Sequence, residues 1–220
     1  MPVNVVAENV FGYLGAFCWA IQLVPQIWKS RRTKDTNGLS QWLVLLWALS
    51  APFLGVYVIV QNLNVPLILQ PQLFCTFALV SWGQCQYYGK NRSKLVSIVL
   101  TVSVAAILGC FEVGMVFALK SSNHEGQVNQ RGLQFFGIVC SVIISLALFP
   151  QYYEIWRLGE VRGISITFMI VDLLGGVFSD LSLIFKADFD TIAAITYTLV
   201  VPTDAEGGLL SWYLLGKNLR

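Results

Sequence analysis

Two aspartates lie inside segments that are long and apolar enough to cross a bilayer. Asp172 interrupts the run ISITFMIVDLLGGVFSDLSLIF, residues 164–185, and Asp204 interrupts the run 191–215. A charge at the bilayer centre costs about 2.5–3.5 kcal/mol on insertion scales, so membrane acids usually face a cavity or a partner and serve function. Burial favours the protonated form of an acid, as a proton carrier requires. Both aspartates are therefore predicted to bind protons.

Both aspartates belong to one pattern, D-x-x-G-G-x-x-S. The spacing i, i+3, i+4, i+7 places an acid and three small residues on one helix face. The two sets are Asp172, Gly175, Gly176 and Ser179, and Asp204, Gly207, Gly208 and Ser211. Small residues permit close helix approach in membranes, so we interpret the glycines as packing surfaces. The two faces are expected to converge on one cavity or to pack against each other; Glu206 has no assigned role.

Seven apolar runs organise the chain of 220 residues, which is 56% hydrophobic and 12% charged. Runs of roughly 20 residues match the thickness of a bilayer, and they cover about 8–28, 39–61, 66–88, 95–119, 132–156, 164–185 and 191–215. The runs are continuously apolar rather than alternating, which argues against a barrel. The first run lacks a basic n-region and is expected to be a retained helix. The sequence predicts an all-α integral membrane protein with seven transmembrane helices.

Basic residues concentrate on one side of this arrangement. Eleven of the fourteen lysines and arginines lie in the loops after runs 1, 3 and 5 and in the C-terminal tail. The positive-inside rule therefore predicts a cytosolic C-terminus and a lumenal N-terminus. We interpret the basic loops as a topology signal and expect no nucleic-acid partner.

An internal repeat divides the chain. VPQIWKSRRTKDTNGLS, residues 24–40, and FPQYYEIWRLGEVRGIS, residues 149–165, share six features at a constant offset of 125 residues. A second echo, Gly-Lys-Asn, follows the third and seventh runs. The prediction is two parallel three-helix bundles joined by a linker helix, 3+1+3, with a first repeat at 1–92, the linker at 93–122 and a second repeat at 123–220.

Each repeat carries a Pro-Gln pair near the predicted cytosolic end of its first helix, Pro25-Gln26 and Pro150-Gln151. A proline inside a helix removes one backbone donor and clashes with the preceding turn. In a bilayer the freed carbonyl must be satisfied by protein or by a wet cavity. The two pairs are predicted to act as hinges for gating.

The repeats differ at the position of Asp172, which Trp47 occupies in the first repeat at the same offset. An indole that faces a central cavity can stack on a substrate, and an indole can equally fill core volume. We retain Trp47, with Asp172, as a candidate substrate-binding residue and leave the core alternative open.

Paired Pro-Gln motifs in a 3+1+3 chain resemble the PQ-loop proteins, which include lysosomal cystine and cationic amino-acid exporters and are akin to the SWEET sugar carriers. FPQ, GIS and Asp172 before Gly175-Gly176 resemble the cystinosin-type members most closely. The resemblance implies proton-coupled export of a small polar solute, in the first place an amino acid, across a lysosomal or vacuolar membrane.

No nucleophile–base combination, metal-ligand cluster or phosphate loop is visible, so the sequence predicts neither an enzyme nor a cofactor beyond the coupling proton. Two alternatives remain open. One is a facilitative sugar or metabolite carrier of the SWEET type, which Trp47 and the parallel repeat favour. The other is a receptor or trafficking protein on the same helices, as KDEL receptors are. The solute, the organelle and the oligomeric state do not follow from the sequence.

Overall fold

A computed structural model describes residues 4–63, 65–121, 130–158 and 164–185. Six of the seven predicted spans fall within these ranges. The seventh, 191–215, lies outside them together with Asp204 and Glu206. The regular structure of the described residues is entirely helical, which confirms the all-α prediction for that part of the chain.

The helices follow the predicted spans closely. In chain order they are α1 (Val5–Ile21), α2 (Leu23–Thr33), α3 (Gln41–Val60), α4 (Val65–Gln84), α5 (Lys94–Ser121), α6 (Gln130–Leu158) and α7 (Ile166–Ile184). A π-helical turn, Cys85–Gly89, extends α4. Counting α1–α2 as one span, six helices in the described part of the chain are long and apolar enough to cross a bilayer. The protein is a multi-pass membrane protein.

The first span is the one whose predicted end differs most. Hydropathy places its end near residue 28, whereas α2 continues to Thr33. Arg31 and Arg32 occupy the last turn of α2, where cations interact favourably with the helix dipole. Hydropathy locates only the apolar part of a helix, so it does not predict this polar extension.

Two helix–helix contacts are related to each other by the 125-residue offset of the repeat. That offset carries α1, which begins at Val5, onto α6, which begins at Gln130, and α3, which begins at Gln41, onto α7, which begins at Ile166. In space α1 packs on α7 and α6 packs on α3. The α1–α7 contact and the α6–α3 contact are therefore equivalent, because the offset relates α1 to α6 and α7 to α3.

The two Pro-Gln segments differ in local structure. The first span is interrupted at Gln22, three residues before Pro25, and Pro25 has no N–H to donate to the carbonyl of Ile21. The equivalent helix α6 continues through Pro150 without interruption. The proline thus accompanies a local change in helical hydrogen bonding in one repeat and not in the other, and the backbone of Gln22 keeps helical dihedral angles.

A large apolar cluster contains residues of both halves of the described structure. Its members include Leu23 of α2, Trp47 of α3, Ala78 of α4, Ala147 of α6 and Phe168 of α7. Large apolar side chains are exposed along α5 and α6. In a bilayer those outer faces contact lipid rather than water.

Candidate functional site

Helix α1–α2 contacts α7 along a row of small and polar residues. Gly15 faces Ser179: a Cβ atom at Gly15 would lie 3.1 Å from the Gly175 carbonyl oxygen and 3.2 Å from the Ser179 nitrogen. At the α1 N-terminus, Ser182 Oγ donates to the Glu8 carbonyl at 2.8 Å. Strips of small residues allow such a close approach of two backbones.

Asp172 lies in the middle of this interface and is 6% exposed. Its backbone carbonyl accepts a hydrogen bond from Trp19 Nε1 at 3.3 Å. Gly175 packs under the same indole, since a Cβ atom there would overlap the ring. The small-residue strip below Asp172 therefore packs against α1 of the other repeat.

Gln22 belongs to the same row and is 4% exposed. The register of the row places it opposite residues 169–172, because Trp19 contacts Asp172 and Gln26, further along, contacts Ser165. Its side-chain oxygen Oε1 has no hydrogen-bond partner among the described residues. Unpaired buried acceptors are costly. The register places this buried oxygen about one helical turn from Asp172 along α7.

The two glutamines of the Pro-Gln pairs make reciprocal contacts between the halves. Gln26 Oε1 accepts a hydrogen bond from the backbone N–H of Ser165 at 2.7 Å. Gln151 Oε1 accepts one from the backbone N–H of Ser40 at 2.9 Å. Ser40 and Ser165 are the N-cap residues of α3 and α7. We call these contacts the cross-repeat caps.

Two more hydrogen bonds support the caps at the same end. Gln151 Nε2 donates to the Gly38 carbonyl at 2.9 Å, and Gly38 has the positive φ, 88°, that glycine tolerates. Lys29 Nζ donates to the Ile164 carbonyl at 2.7 Å. At the end that the sequence predicts to face the cytosol, polar contacts therefore join the two halves.

Trp47 is 5% exposed and packs within the apolar cluster. Its ring lies 5.6 Å from Phe74 and 5.8 Å from Phe168, centroid to centroid. Phe168 stands one helical turn before Asp172 on α7, so the two equivalent positions, 47 and 172, share a neighbourhood. Trp47 Nε1 has no hydrogen-bond partner among the described residues.

Comparison with known families identifies the duplicated unit. The family described as PQ loop repeat matches residues 7–67 and again residues 132–192, two ranges that begin 125 residues apart. The chain belongs to the PQ-loop repeat family. The two matches contain both Pro-Gln pairs, Trp47 and Asp172, so the cross-repeat caps join one PQ-loop repeat to the other.

Several known proteins are similar in sequence to this PQ-loop protein. An uncharacterised protein of Schizosaccharomyces pombe is 34% identical over 197 residues, 90% of this chain and 69% of the relative. An uncharacterised membrane protein of Saccharomyces cerevisiae is 35% identical over 198 residues, 88% of this chain and 62% of its own length. The chain thus spans about two thirds of these relatives. A vacuolar histidine transporter of the same yeast is 29% identical over 98 residues, 43% of this chain and 33% of the transporter.

The predicted site residues of the PQ-loop repeats fall into three groups. Asp172 and Trp47 lie near the same ring, Phe168, at the contact between the repeats. Gln26 and Gln151, predicted with Pro25 and Pro150 as hinge residues, form the cross-repeat caps. Asp204 lies outside the described residues. Within those residues, no group of three or more His, Cys, Asp or Glu could hold a metal ion.

Sequence reasoning missed two polar residues of this PQ-loop protein. Gln22 was detectable as an amide inside the first apolar run, one turn after Trp19. Glu112 was detectable by the rule that singled out Asp172, because it is an acid inside an apolar run, that of α5, the helix predicted to be the linker. The side chain of Glu112 accepts a hydrogen bond from Gln72 Nε2 of α4.

Proposed function

We propose that this PQ-loop protein is a proton-coupled carrier that exports a small polar solute, in the first place an amino acid, from an acidic organelle to the cytosol. The observation that carries the proposal is Asp172, a buried acid in a transmembrane helix at the contact between the two repeats. Acids in such positions serve proton relays and substrate pathways. The vacuolar histidine transporter among the relatives supports the solute class and a vacuolar membrane.

In this proposal Asp172 binds the proton and the amine of the solute. The unpartnered Gln22 oxygen supplies a second acceptor for the amine, and the Trp47 indole N–H is available to the carboxylate of the solute. Asp204 is a second proton site. The protein uses no enzyme chemistry and no cofactor beyond the proton.

The cross-repeat caps supply the gate. Alternating access moves one repeat against the other around a central site, so a gate must hold without being permanent. An interhelical hydrogen bond in a membrane contributes about 0.6 kcal/mol on average and about 1.7 at most. The four polar contacts at this end, the two caps with their two supporting bonds, therefore total about 2–7 kcal/mol. A proton and a solute can offset that amount, with Pro25 and Pro150 as hinges.

Solute-evoked proton movement in proteoliposomes tests this function. A panel of amino acids should evoke proton flux with the parent protein, and Asp172→Asn should abolish it. Asp180→Asn, eight residues further along α7, is the matched control and should retain the flux. If no amino acid evokes flux in the parent, the proton-coupled function is wrong.

A facilitative sugar or metabolite carrier is the second candidate. Trp47 favours it, because an indole at the repeat contact with an unpartnered N–H suits a hydroxylated ring. Under this alternative, sugar uptake should proceed without proton flux, and Asp172→Asn should take up sugar as the parent does.

A further inference from the structure

Glu112 inserts between two helices of the first repeat. Its Oε1 accepts a hydrogen bond from Gln72 Nε2 of α4. On α3 it fills the space that the missing side chain of Gly55 leaves, since a Cβ atom there would overlap the carboxylate. The acid of the linker helix thus has a built recess, with a donor from one helix and room made by another.

The recess lies inside the hydrocarbon. Helix α5 has 28 residues, so it is about 42 Å long, and a core about 30 Å thick leaves about 6 Å beyond each end. Glu112 stands nine residues before Ser121, about 14 Å from that end. The carboxyl group is therefore about 8 Å below the boundary.

No described cation neutralises Glu112 there. Helices α3 and α4 carry no Asp, Glu, Lys, Arg or His, and the titratable groups they contribute are Tyr57 and Cys75. Cys75 is near enough to interact electrostatically with Glu112, and its Sγ donates to the Ala48 carbonyl at 3.6 Å. On α5 itself Cys110 is exposed and Lys120 is eight residues away, about 12 Å along the axis.

We propose that Glu112, held by Gln72 in the recess at Gly55, is a proton-binding site of the linker helix, separate from Asp172. One neutral hydrogen bond offsets less than the cost of a bare carboxylate in hydrocarbon. A proton removes that cost, and the Gln72 amide can donate to the carboxyl oxygen in either state. The two acids lie against different helices, Glu112 against α3 and α4 and Asp172 against α1.

Proton release at this site would change the packing of α5 against the helices of the first repeat. The Gln72 segment of α4 departs from regular helical bonding, because Pro71 gives no backbone donor and Thr76 Oγ1 donates to the Gln72 carbonyl at 2.8 Å. An ionised Glu112 would be more stable in contact with water or with a stronger hydrogen-bond donor than Gln72. The proton thus sets how α4 and α5 pack, whether or not Asp172 couples transport.

Infrared difference spectroscopy of the full chain in lipid nanodiscs, between acidic and neutral pH, tests the proposal without a transported solute. The parent should show a protonated-carboxyl band that disappears on raising the pH. Glu112→Gln should lose this band, while Asp172→Asn and the near-surface control Glu154→Gln should keep it. Gln72→Leu should shift the band, because the donor to Glu112 is removed.

Two results would overturn the proposal. One is a Glu112→Gln spectrum identical to that of the parent at every pH. The other is a Glu112 band that does not titrate, which would make the contact a permanent interhelical hydrogen bond. If Glu112→Gln fails to fold, the Gln72→Leu variant tests the proposal instead. A carboxyl band that neither shifts in this variant nor titrates with pH would then reject the proton-binding site. None of these results depends on whether amino acids evoke proton flux.

Discussion

Gln26 caps α7 across the repeat interface, since its side-chain oxygen accepts the backbone N–H of Ser165 at 2.7 Å. Gln151 does the same for Ser40 at the start of α3, at 2.9 Å. In a capping box, a side chain three residues into the helix reaches back to the N-cap N–H. Here that role is filled by a residue of the other repeat. Each Pro-Gln pair therefore supplies a contact that ties the repeats together, and the first pair also follows a local interruption of its helix at Gln22.

Gln26→Leu and Gln151→Leu should each lower the free energy of unfolding by about 1–3 kcal/mol, because each leaves a buried backbone N–H without its partner. The double variant should lose about the sum, since the caps share no partner. Gln84→Leu is the control. It removes the hydrogen bond from Gln84 Nε2 to the Ile27 carbonyl, which also accepts a bond within α2. It also removes Gln84 Oε1, which has no described partner. Denaturation in detergent measures all four, and a Gln26→Leu protein as stable as the parent would contradict the cap.

Gln22→Leu should leave stability unchanged or raise it, because it removes a buried oxygen that lacks a described partner. Under the proposed function the same variant should slow amino-acid transport about tenfold, the equivalent of ~1.4 kcal/mol. Thermal unfolding and proteoliposome uptake on one preparation separate the effects. Lost stability with unchanged uptake would make Gln22 a structural residue.

Gly15→Ala should destabilise the contact between α1 and α7 by about 1–3 kcal/mol, the usual cost of overpacking. The new methyl group would meet backbone atoms of α7 at 3.1 and 3.2 Å, and backbone cannot rotate away. Gly109→Ala on α5 is the control, because no described atom lies within 4 Å of its Cβ position. Equal melting temperatures for the two alanine variants would show that the helices are not this close.

Trp47 variants separate substrate binding from core packing. Trp47→Phe keeps an aromatic ring between Phe74 and Phe168 and removes the indole N–H, so solute affinity should fall about tenfold while stability changes by less than about 1.5 kcal/mol. Trp47→Ala should cost about 3–5 kcal/mol because it leaves a cavity. Equilibrium solute binding and unfolding measure both. Unchanged affinity in Trp47→Phe would assign Trp47 to the core alone.

Local properties of the chain were sufficient for much of this structure. The thickness of the bilayer sets the length of a spanning helix, so hydropathy located six described spans within a few residues, apart from the polar end of α2. A constant spacing of 125 residues revealed the duplication, and the PQ-loop repeat matches confirm it. The seventh span, the 3+1+3 arrangement, the domain boundaries and the orientation remain predictions.

Contacts between distant residues were beyond such reasoning. An apolar helix in a membrane can turn almost any face to its neighbours, so periodicity showed that Asp172 and its glycines share a face without showing which helix covers it. Helix α1, more than 150 residues earlier, covers that face through Trp19. Likewise the sequence predicted Gln26 only as part of a hinge, and the 139-residue separation from Ser165 hid its role as a cap.

Glu112 shows most clearly the difference between what the sequence predicts and what the tertiary structure decides. Its depth in an apolar run follows from residue order alone, and that order marks it as an acid in need of an explanation. The space at Gly55 and the donor at Gln72 come from two other helices. Hydrophobic insertion is a property of each segment separately, whereas the rotation and pairing of inserted helices depend on side-chain packing between segments. Only the assembled bundle therefore shows what each buried polar residue contacts.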